Sequence, residues 1–214
     1  MHAEHLEAVH GVGPHTISVP RIKRADDIDP SVFDNGISDD IFAKLIALIR
    51  ISVPYTGMII STRESQEVRA RALHLGISQI SGASRTSVGG YDEPERPHDT
   101  EQFDVSDQRT LDEVIAWLMD MGFIPSFCTA CYRAGRTGDR FMSLCKTGQI
   151  QNCCHPNALM TLKEFLVDYA SDETRRKGEA MIKSEIPTIP NEKVRSALVK
   201  YLERIEGGER DFRF

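Results

Sequence analysis

The residues able to do chemistry are concentrated between Cys128 and Asn157. The stretch reads Cys128-Thr129-Ala130-Cys131, then twenty-two residues, then Cys154-His155-Pro156-Asn157. Thiolates ligate iron–sulfur clusters and zinc, and a CxxC turn brings two sulfurs to one metal centre. Cys154 is the natural third donor. Cys153 is read as pointing away if Cys154 points in, and Cys145 falls within a helical pattern among apolar residues. Both therefore read as packing residues. Three thiolates are one short of the usual four, so a cubane held this way keeps one iron open to a non-protein ligand. Three other readings stand beside this one. The first is structural zinc on Cys128, Cys131, Cys154 and His155. The second is a redox CxxC, which needs a strand–helix context that 127–138 lacks. The third is cysteines with no metal at all.

A second set of candidates lies upstream, where three short strands each end in a basic residue. After the first comes Pro20-Arg21, after the second Ser61-Thr62-Arg63, and after the third Ser84-Arg85-Thr86. In parallel α/β folds ligands bind at the carboxyl ends of the strands. A guanidinium grips a carboxylate through two parallel hydrogen bonds. Serine hydroxyls and helix N-terminal amides add further donors to the same anion. Arg21, Ser61, Arg63, Ser84 and Arg85 are thus candidates for binding an amino-acid-like or other anionic ligand. The competing reading is a solvated rim with ordinary salt bridges.

The elements that place these residues follow from pattern. Leu6 and Val9 put a helix over 1–10, and Gly11-Val12-Gly13-Pro14 breaks it. This GxG reads as a turn, since no GxGxxG follows. His15 to Val19 alternates as a strand. Residues 23–38 form a long loop, and Ile41, Leu45, Ile46, Leu48 and Ile49 define a helix over 39–50. Thr56 to Ile60 is a short apolar run, hence a buried parallel strand. Ser61-x-x-Glu64 predicts a capping box for a helix to Gly76. Residues 78–83 predict a third strand, 85–102 a charged loop, and Thr110-x-x-Glu113 a helix to Gly122. Beyond 123 the strand signal fades. Helices are predicted over 137–147, 157–170, 172–185 and 191–206, the second capped by Thr161-x-x-Glu164. The composition shift places a boundary near 122, giving an α/β part at 1–122 and a helical part at 123–214.

Composition narrows the function classes. A net charge of −6 with scattered Lys and Arg argues against nonspecific nucleic-acid binding. No apolar run is long enough to span a bilayer. The first residues lack the basic and apolar regions of a signal peptide. An odd number of cysteines, five, without an export signal disfavours a disulfide framework and suits a reducing cytoplasm.

The residues also carry a resemblance. Cys128-Thr-Ala-Cys131-Tyr-Arg-x-Gly-Arg-Thr-Gly138, Phe141-Met142 and Cys154-x-Pro-Asn-Ala158 closely resemble the C-terminal cluster domain of the radical-SAM tyrosine lyases that mature [FeFe]-hydrogenase. Gly13 to Arg21, Ile60 to Glu64 and Ser84 to Tyr91 are similar to strands six to eight of the same family's barrel. The related tyrosine lyase of thiamine synthesis, 2-iminoacetate synthase, shares Ser-Thr-Arg-Glu and Gly-Gly-Tyr but not the cysteine domain. The resemblance implies the C-terminal part of a (β/α) TIM-type barrel followed by a helical cluster domain. It implies an auxiliary [4Fe-4S] cluster on Cys128, Cys131 and Cys154, with a labile fifth iron. In that family a barrel histidine holds this iron; His5 is the candidate here, with His2 and His15 as alternatives. S-adenosylmethionine and tyrosine are the implied ligands of Ser61, Arg63 and Arg85, with Arg21 a weaker candidate. Hydrogenase maturation proteins are the implied partners. The implied reaction cleaves tyrosine to p-cresol and dehydroglycine, and carbon monoxide and cyanide are then made on iron. The family's CxxxCxxC motif, which binds the S-adenosylmethionine cluster, does not occur in this sequence. The chain therefore resembles a C-terminal portion that should not start radical chemistry alone. With about three of eight barrel strands, low stability or self-association is expected.

Overall fold

The computed structural model describes residues 1–24, 28–33, 36–87, 89–92 and 104–214. The charged loop expected over 85–102 lies largely outside these residues. The chain divides into two compact units, Met1–Thr110 and Leu111–Phe214.

The first unit is α/β, as the sequence patterns predicted. Helix α1 (His2–His10) is followed by β1 (Thr16–Ser18), α2 (Asp39–Ser52), β2 (Gly57–Ile60), α3 (Gln66–His74) and β3 (Gln79–Ile80). The strands form one parallel sheet in the order β1-β2-β3, with Ile17 opposite Met58 and Ile60 opposite Ile80. Among the described residues the sheet has three strands and does not close into a barrel. Helices connect the parallel strands, as crossover connections require. Phe42, Ala43 and Ile46 form the buried face of α2, and Met58 and Ile60 are buried residues of β2.

Two features brace this unit. Arg50, near the end of α2, donates through Nη1 to the carbonyls of Pro54 (3.0 Å) and Thr56 (2.8 Å). Its Nε and Nη2 donate to the Gly76 carbonyl at 2.9 and 2.7 Å. Gly76 has φ +110, and a Cβ there would lie 2.6 Å from Arg50 Cγ, so only glycine closes the end of α3 this way. Below the strand ends, Arg69 and Asp107 form an ion pair with both side chains fully buried. Arg69 also donates to the Ser81 carbonyl just past β3, and Arg109 donates to Asp107 at 2.9 and 2.6 Å.

The expected cap of α3 is displaced. Ser65, not Ser61, is the N-cap and accepts from the Val68 amide. Ser61 instead accepts from the Arg63 amide at 3.3 Å, so Ser61 to Glu64 is a turn that precedes the helix. Glu64 is withheld from a capping box because Arg21 and Lys23 hold its buried carboxylate.

The second unit is helical: α4 (Leu111–Asp120), α5 (Ala130–Arg133), α6 (Gly138–Lys146), α7 (Gln151–Asp168), α8 (Asp172–Glu185) and α9 (Glu192–Glu206). Helix α7 is its axis, packed by α8 and α9, while α4 packs on α8. Leu159, Met160, Leu162, Leu198 and Ile205 are completely buried between them. Gly178 lets α8 approach α7 closely; a Cβ there would lie 2.4 Å from Leu166 Cδ1.

Helix α7 starts six residues earlier than the sequence predicted, and Pro156 lies inside it. A proline normally ends a helix reading, yet near the N-terminus its missing N–H deprives only one carbonyl of a partner. Thr161 is consequently mid-helix and not a cap: its hydroxyl donates to the Asn157 carbonyl at 3.1 Å. Beyond α9 the segment 209–214 lies back across the unit. Arg210 pairs with Asp168, the Asp211 amide donates to Glu164 at 2.8 Å, and Phe212 stacks on Tyr201 at 4.7 Å.

Candidate metal centre

Both halves of the cysteine motif are anchored to α7. Phe127 stacks on Phe165 at 5.3 Å, and its amide donates to Thr161 Oγ1 at 3.1 Å. That fixes the chain just before Cys128. The Cys128 amide donates to Ser126 Oγ, and Cys128 Sγ accepts from the Ala130 amide at 3.4 Å. Helix α5, one turn long, then carries Cys131 back over the buried Ala130. Cys153 and Cys154 occupy the first turn of α7, their amides donating to the Ile150 carbonyl at 3.0 and 2.9 Å.

The five thiols share one neighbourhood. Burial pushes the Cys154 thiol up to about 11, and Cys131, Cys128, Cys153 and Cys145 add to the effect. Burial likewise raises Cys131, opposed by the guanidinium of Arg136. Cys145 is raised by burial and by Cys131. The two cysteines read as packing residues are thus electrostatic neighbours of the other three. Successive residues on a helix are turned by roughly 100°, not to opposite faces, so half-buried Cys153 can stay close to exposed Cys154.

The donors here are chiefly thiols, the ligand type that both iron–sulfur clusters and zinc take. Among the described residues no three His, Cys, Asp or Glu side chains are gathered tightly enough to grip one metal ion. A tetrahedral zinc with bonds of about 2.3 Å draws its sulfurs to within about 4 Å of one another. A cubane takes each thiolate on a different iron and tolerates wider spacing. The fourth zinc donor of the alternative reading is also engaged elsewhere: His155 Nε2 lies 3.1 Å from Glu185 Oε2. His155 and Cys154 line a cavity of about 530 Å³ with Ile124, Pro156, Glu185 and Ile189.

In the first unit the strand ends carry the predicted arginines and serines, and they differ in what they already hold. Arg21 is fully engaged within the protein. Its Nε donates to Glu64 at 3.0 Å, Nη2 pairs with the same carboxylate, and Nη1 reaches Asp39 at 2.7 Å and the Ile37 carbonyl at 3.1 Å. Its guanidinium also lies 4.4 Å from the Phe42 ring centroid. Arg21 thereby braces the loop after β1 against Glu64 and Asp39. Ser61 and Arg63 share the turn after β2, both half-buried, and Ser106 Oγ holds the Arg63 carbonyl at 2.8 Å. Ser84 and Arg85 follow β3, also half-buried, directly after Ala83, whose φ of 52 is a rare left-handed conformation for a residue with a Cβ. The Arg85 amide donates to Tyr91 Oη at 3.1 Å, closing that loop. His5 is exposed on α1, and His2 and His15 are exposed as well. Sequence reasoning missed the buried Arg69–Asp107–Arg109 group beneath these loops. Nothing in the local pattern around Asp107 announces a partner thirty-eight residues away.

Together, these features define a class: a parallel α/β segment with arginines and serines at its strand ends, joined in sequence to a helical unit that carries five thiols. The chain belongs to the Biotin and Thiamin Synthesis associated domain family, whose match covers residues 18–124, half of the 214 residues. It is similar to 2-iminoacetate synthase of Escherichia coli K12, with 31% identity over 130 residues, 58% of this chain and 33% of that protein. It is also similar to the crystal structure of HydG, a maturase of the [FeFe]-hydrogenase, at 51% identity and a TM-score of 0.94. That match covers 99% of this chain and 46% of that one. HydG from Carboxydothermus hydrogenoformans matches at 40% identity and a TM-score of 0.71, over 94% of this chain and 42% of that one. The chain therefore spans between a third and a half of the length of these relatives. The likeness to the two HydG structures takes in the thiol-bearing unit as well as the α/β unit. No helix among the described residues is long and apolar enough to cross a membrane.

Proposed function

We propose that this chain is the cluster-bearing C-terminal part of a radical S-adenosylmethionine tyrosine lyase that acts in [FeFe]-hydrogenase maturation. The observation that carries this reading is the 51% identity to HydG across 99% of the chain, thiol unit included. The 2-iminoacetate synthase reading has a weaker basis, since that match covers only 58% of the chain.

In this reading Cys128, Cys131 and Cys154 hold an auxiliary [4Fe-4S] cluster, and His5 is the proposed ligand of a labile fifth iron. When bound, the cluster supplies an open iron at which carbon monoxide and cyanide derived from tyrosine can be collected. The chain's own residues do the rest. Arg63 and Arg85, with Ser61 and Ser84, offer donors at the strand ends that suit the carboxylates of tyrosine and S-adenosylmethionine. The buried Arg69–Asp107 pair and the Ser106 hydroxyl hold those loops in place. Arg21 acts one step back, as the brace of Glu64. The barrel half with the S-adenosylmethionine cluster comes from the longer protein or a second chain. The assignment of 1–122 to the barrel and 123–214 to the cluster domain, the hydrogenase maturation partners and a cytoplasmic location all follow from the same reading.

Anaerobic reconstitution with iron and sulfide tests it. A brown protein with four irons per chain, lost in Cys128→Ser, is the expected result; a colourless protein with one zinc overturns it. In a complete enzyme, Arg63→Ala should weaken binding of tyrosine or S-adenosylmethionine. Unchanged binding of both removes that role.

A further inference from the structure

Arg136 lies between α5 and α6, inside the Cys128–Gly138 stretch that carries the family resemblance, and the sequence reading assigned it no role. Its amide donates to the Cys131 carbonyl at 2.8 Å, which holds it beside the CxxC turn. Its guanidinium reaches in two directions. Nη1 donates to Cys153 Sγ at 3.2 Å. Nη2 donates to the Phe214 carbonyl at 2.8 Å. Nε is buried and has no hydrogen-bond partner among the described residues. A buried N–H of a charged group without an acceptor is costly, so it is a donor that a group bound among the thiols could satisfy.

The far end of this contact is itself fixed. Asn157, 2% exposed, accepts from the Phe214 amide at 2.8 Å and donates back to its carbonyl at 3.5 Å. Asn157 is one turn along α7 from Cys153 and Cys154. Asp211 of the same segment forms a two-point pair with Arg133, at the end of the helix that carries Cys131. The segment 209–214 therefore ties together the two elements that bear the cysteines, and Arg136 is the cation at their junction.

We infer that Arg136 is a positioning residue of the thiol site: the segment 209–214 orients its guanidinium, which then donates hydrogen bonds to the sulfurs of the cluster held there. This rests on the cluster reading given above. Hydrogen bonds to cluster sulfurs stabilise the reduced state and raise the reduction potential. The planar fork matters, because one lysine ammonium does not reach thiol and Phe214 carbonyl in two fixed directions.

The test compares the full chain with Arg136→Gln and Arg136→Lys, first metal-free and then reconstituted with iron and sulfide. In the metal-free protein, hydrogen exchange in the peptide spanning 209–214 should quicken about tenfold in Arg136→Gln, as expected for loss of a charge-assisted hydrogen bond. Unchanged exchange overturns the coupling between tail and guanidinium. In the loaded protein, the cluster midpoint followed by EPR should move to more negative potential in Arg136→Gln, with Arg136→Lys between it and the wild type. A midpoint equal to wild type in both variants, with iron fully loaded, overturns the inference. A wild type that takes up no cluster defeats the cluster reading instead, and the metal-free exchange still decides the tail contact. Should Arg136→Gln fail to fold, Asp211→Asn, which loosens the tail at α5, is expected to shift both readouts the same way by less.

Discussion

Asp107→Asn should destabilise the first unit out of proportion to the one atom it changes. The Asp107 carboxylate and the Arg69 guanidinium are both fully buried, and Arg109 donates to the same carboxylate at 2.9 and 2.6 Å. Burial disfavours the charged form of Arg69, and Arg109 adds to that, while Asp107 offsets both. Neutralising Asp107 leaves two neighbouring guanidinium groups, one of them without access to water. Removing one partner of a buried pair costs about 3–5 kcal/mol. Asparagine keeps one acceptor oxygen, so the lower end, about 3 kcal/mol, is expected here. Native-state hydrogen exchange read on peptides of α3 is the assay, because the helix carries Arg69. The expected loss corresponds to opening about a hundredfold more often. The paired replacement Arg69→Met with Asp107→Leu removes the charges together and should cost far less. If Asp107→Asn quickens exchange in α3 less than about fivefold, or if the paired change costs as much as the single one, the electrostatic argument fails.

Four further outcomes follow from the packing and the charges. Gly178→Ala brings a Cβ to 2.4 Å from buried Leu166, so a helix gain of about 1 kcal/mol is outweighed by overpacking; urea unfolding should show a net loss that Leu166→Ala in the same chain partly relieves. Glu64 is pulled up by burial, but hydrogen bonds from Arg21 and Lys23 outweigh this and hold it below its ordinary 4.5. The folded state then binds fewer protons than the unfolded one, so this stabilisation is complete above about pH 4.5 and is lost as pH falls through the depressed value. Glu64→Gln should flatten that part of the pH–stability curve, and an unchanged slope would remove Glu64 as its source. Ser171 caps α8 by accepting from the Thr174 amide, and its hydroxyl donates to Asp112 Oδ2 at 2.7 Å. Ser171→Ala should cost about 1 kcal/mol in thermal unfolding. Asp112→Ala should cost more, since it also strips the acceptor from buried Thr174.

How much was legible beforehand depended on the range of the interaction involved. Alternation and helical spacing, which are local, placed β1, β2, β3, α2, α8 and α9 within a few residues. The spacing of Cys128, Cys131 and Cys154 marked the thiol site because ligand chemistry restricts residue types more tightly than packing does. Caps were less secure. Ser61 and Thr161 both fit the capping pattern, but the first serves a turn and the second an i−4 carbonyl inside α7, and their Glu partners carry contacts set by distant residues. The helix predicted to start at 157 begins at Gln151 and carries Pro156 inside it, because the packing of α8 and α9 on α7 makes that helix worth keeping through a proline.

Residue types, the segments with an apolar face and the spacing of Cys128, Cys131 and Cys154 can all be read along the chain. Only the tertiary structure decided which charges meet. It turned Arg21 inward to Glu64, buried Arg69 against Asp107, and brought Phe214 back to Arg136. The reason is physical: a pattern of apolar positions encodes which face is buried, but a hydrogen bond between residues 136 and 214 exists only after the chain has packed, and no local rule encodes it.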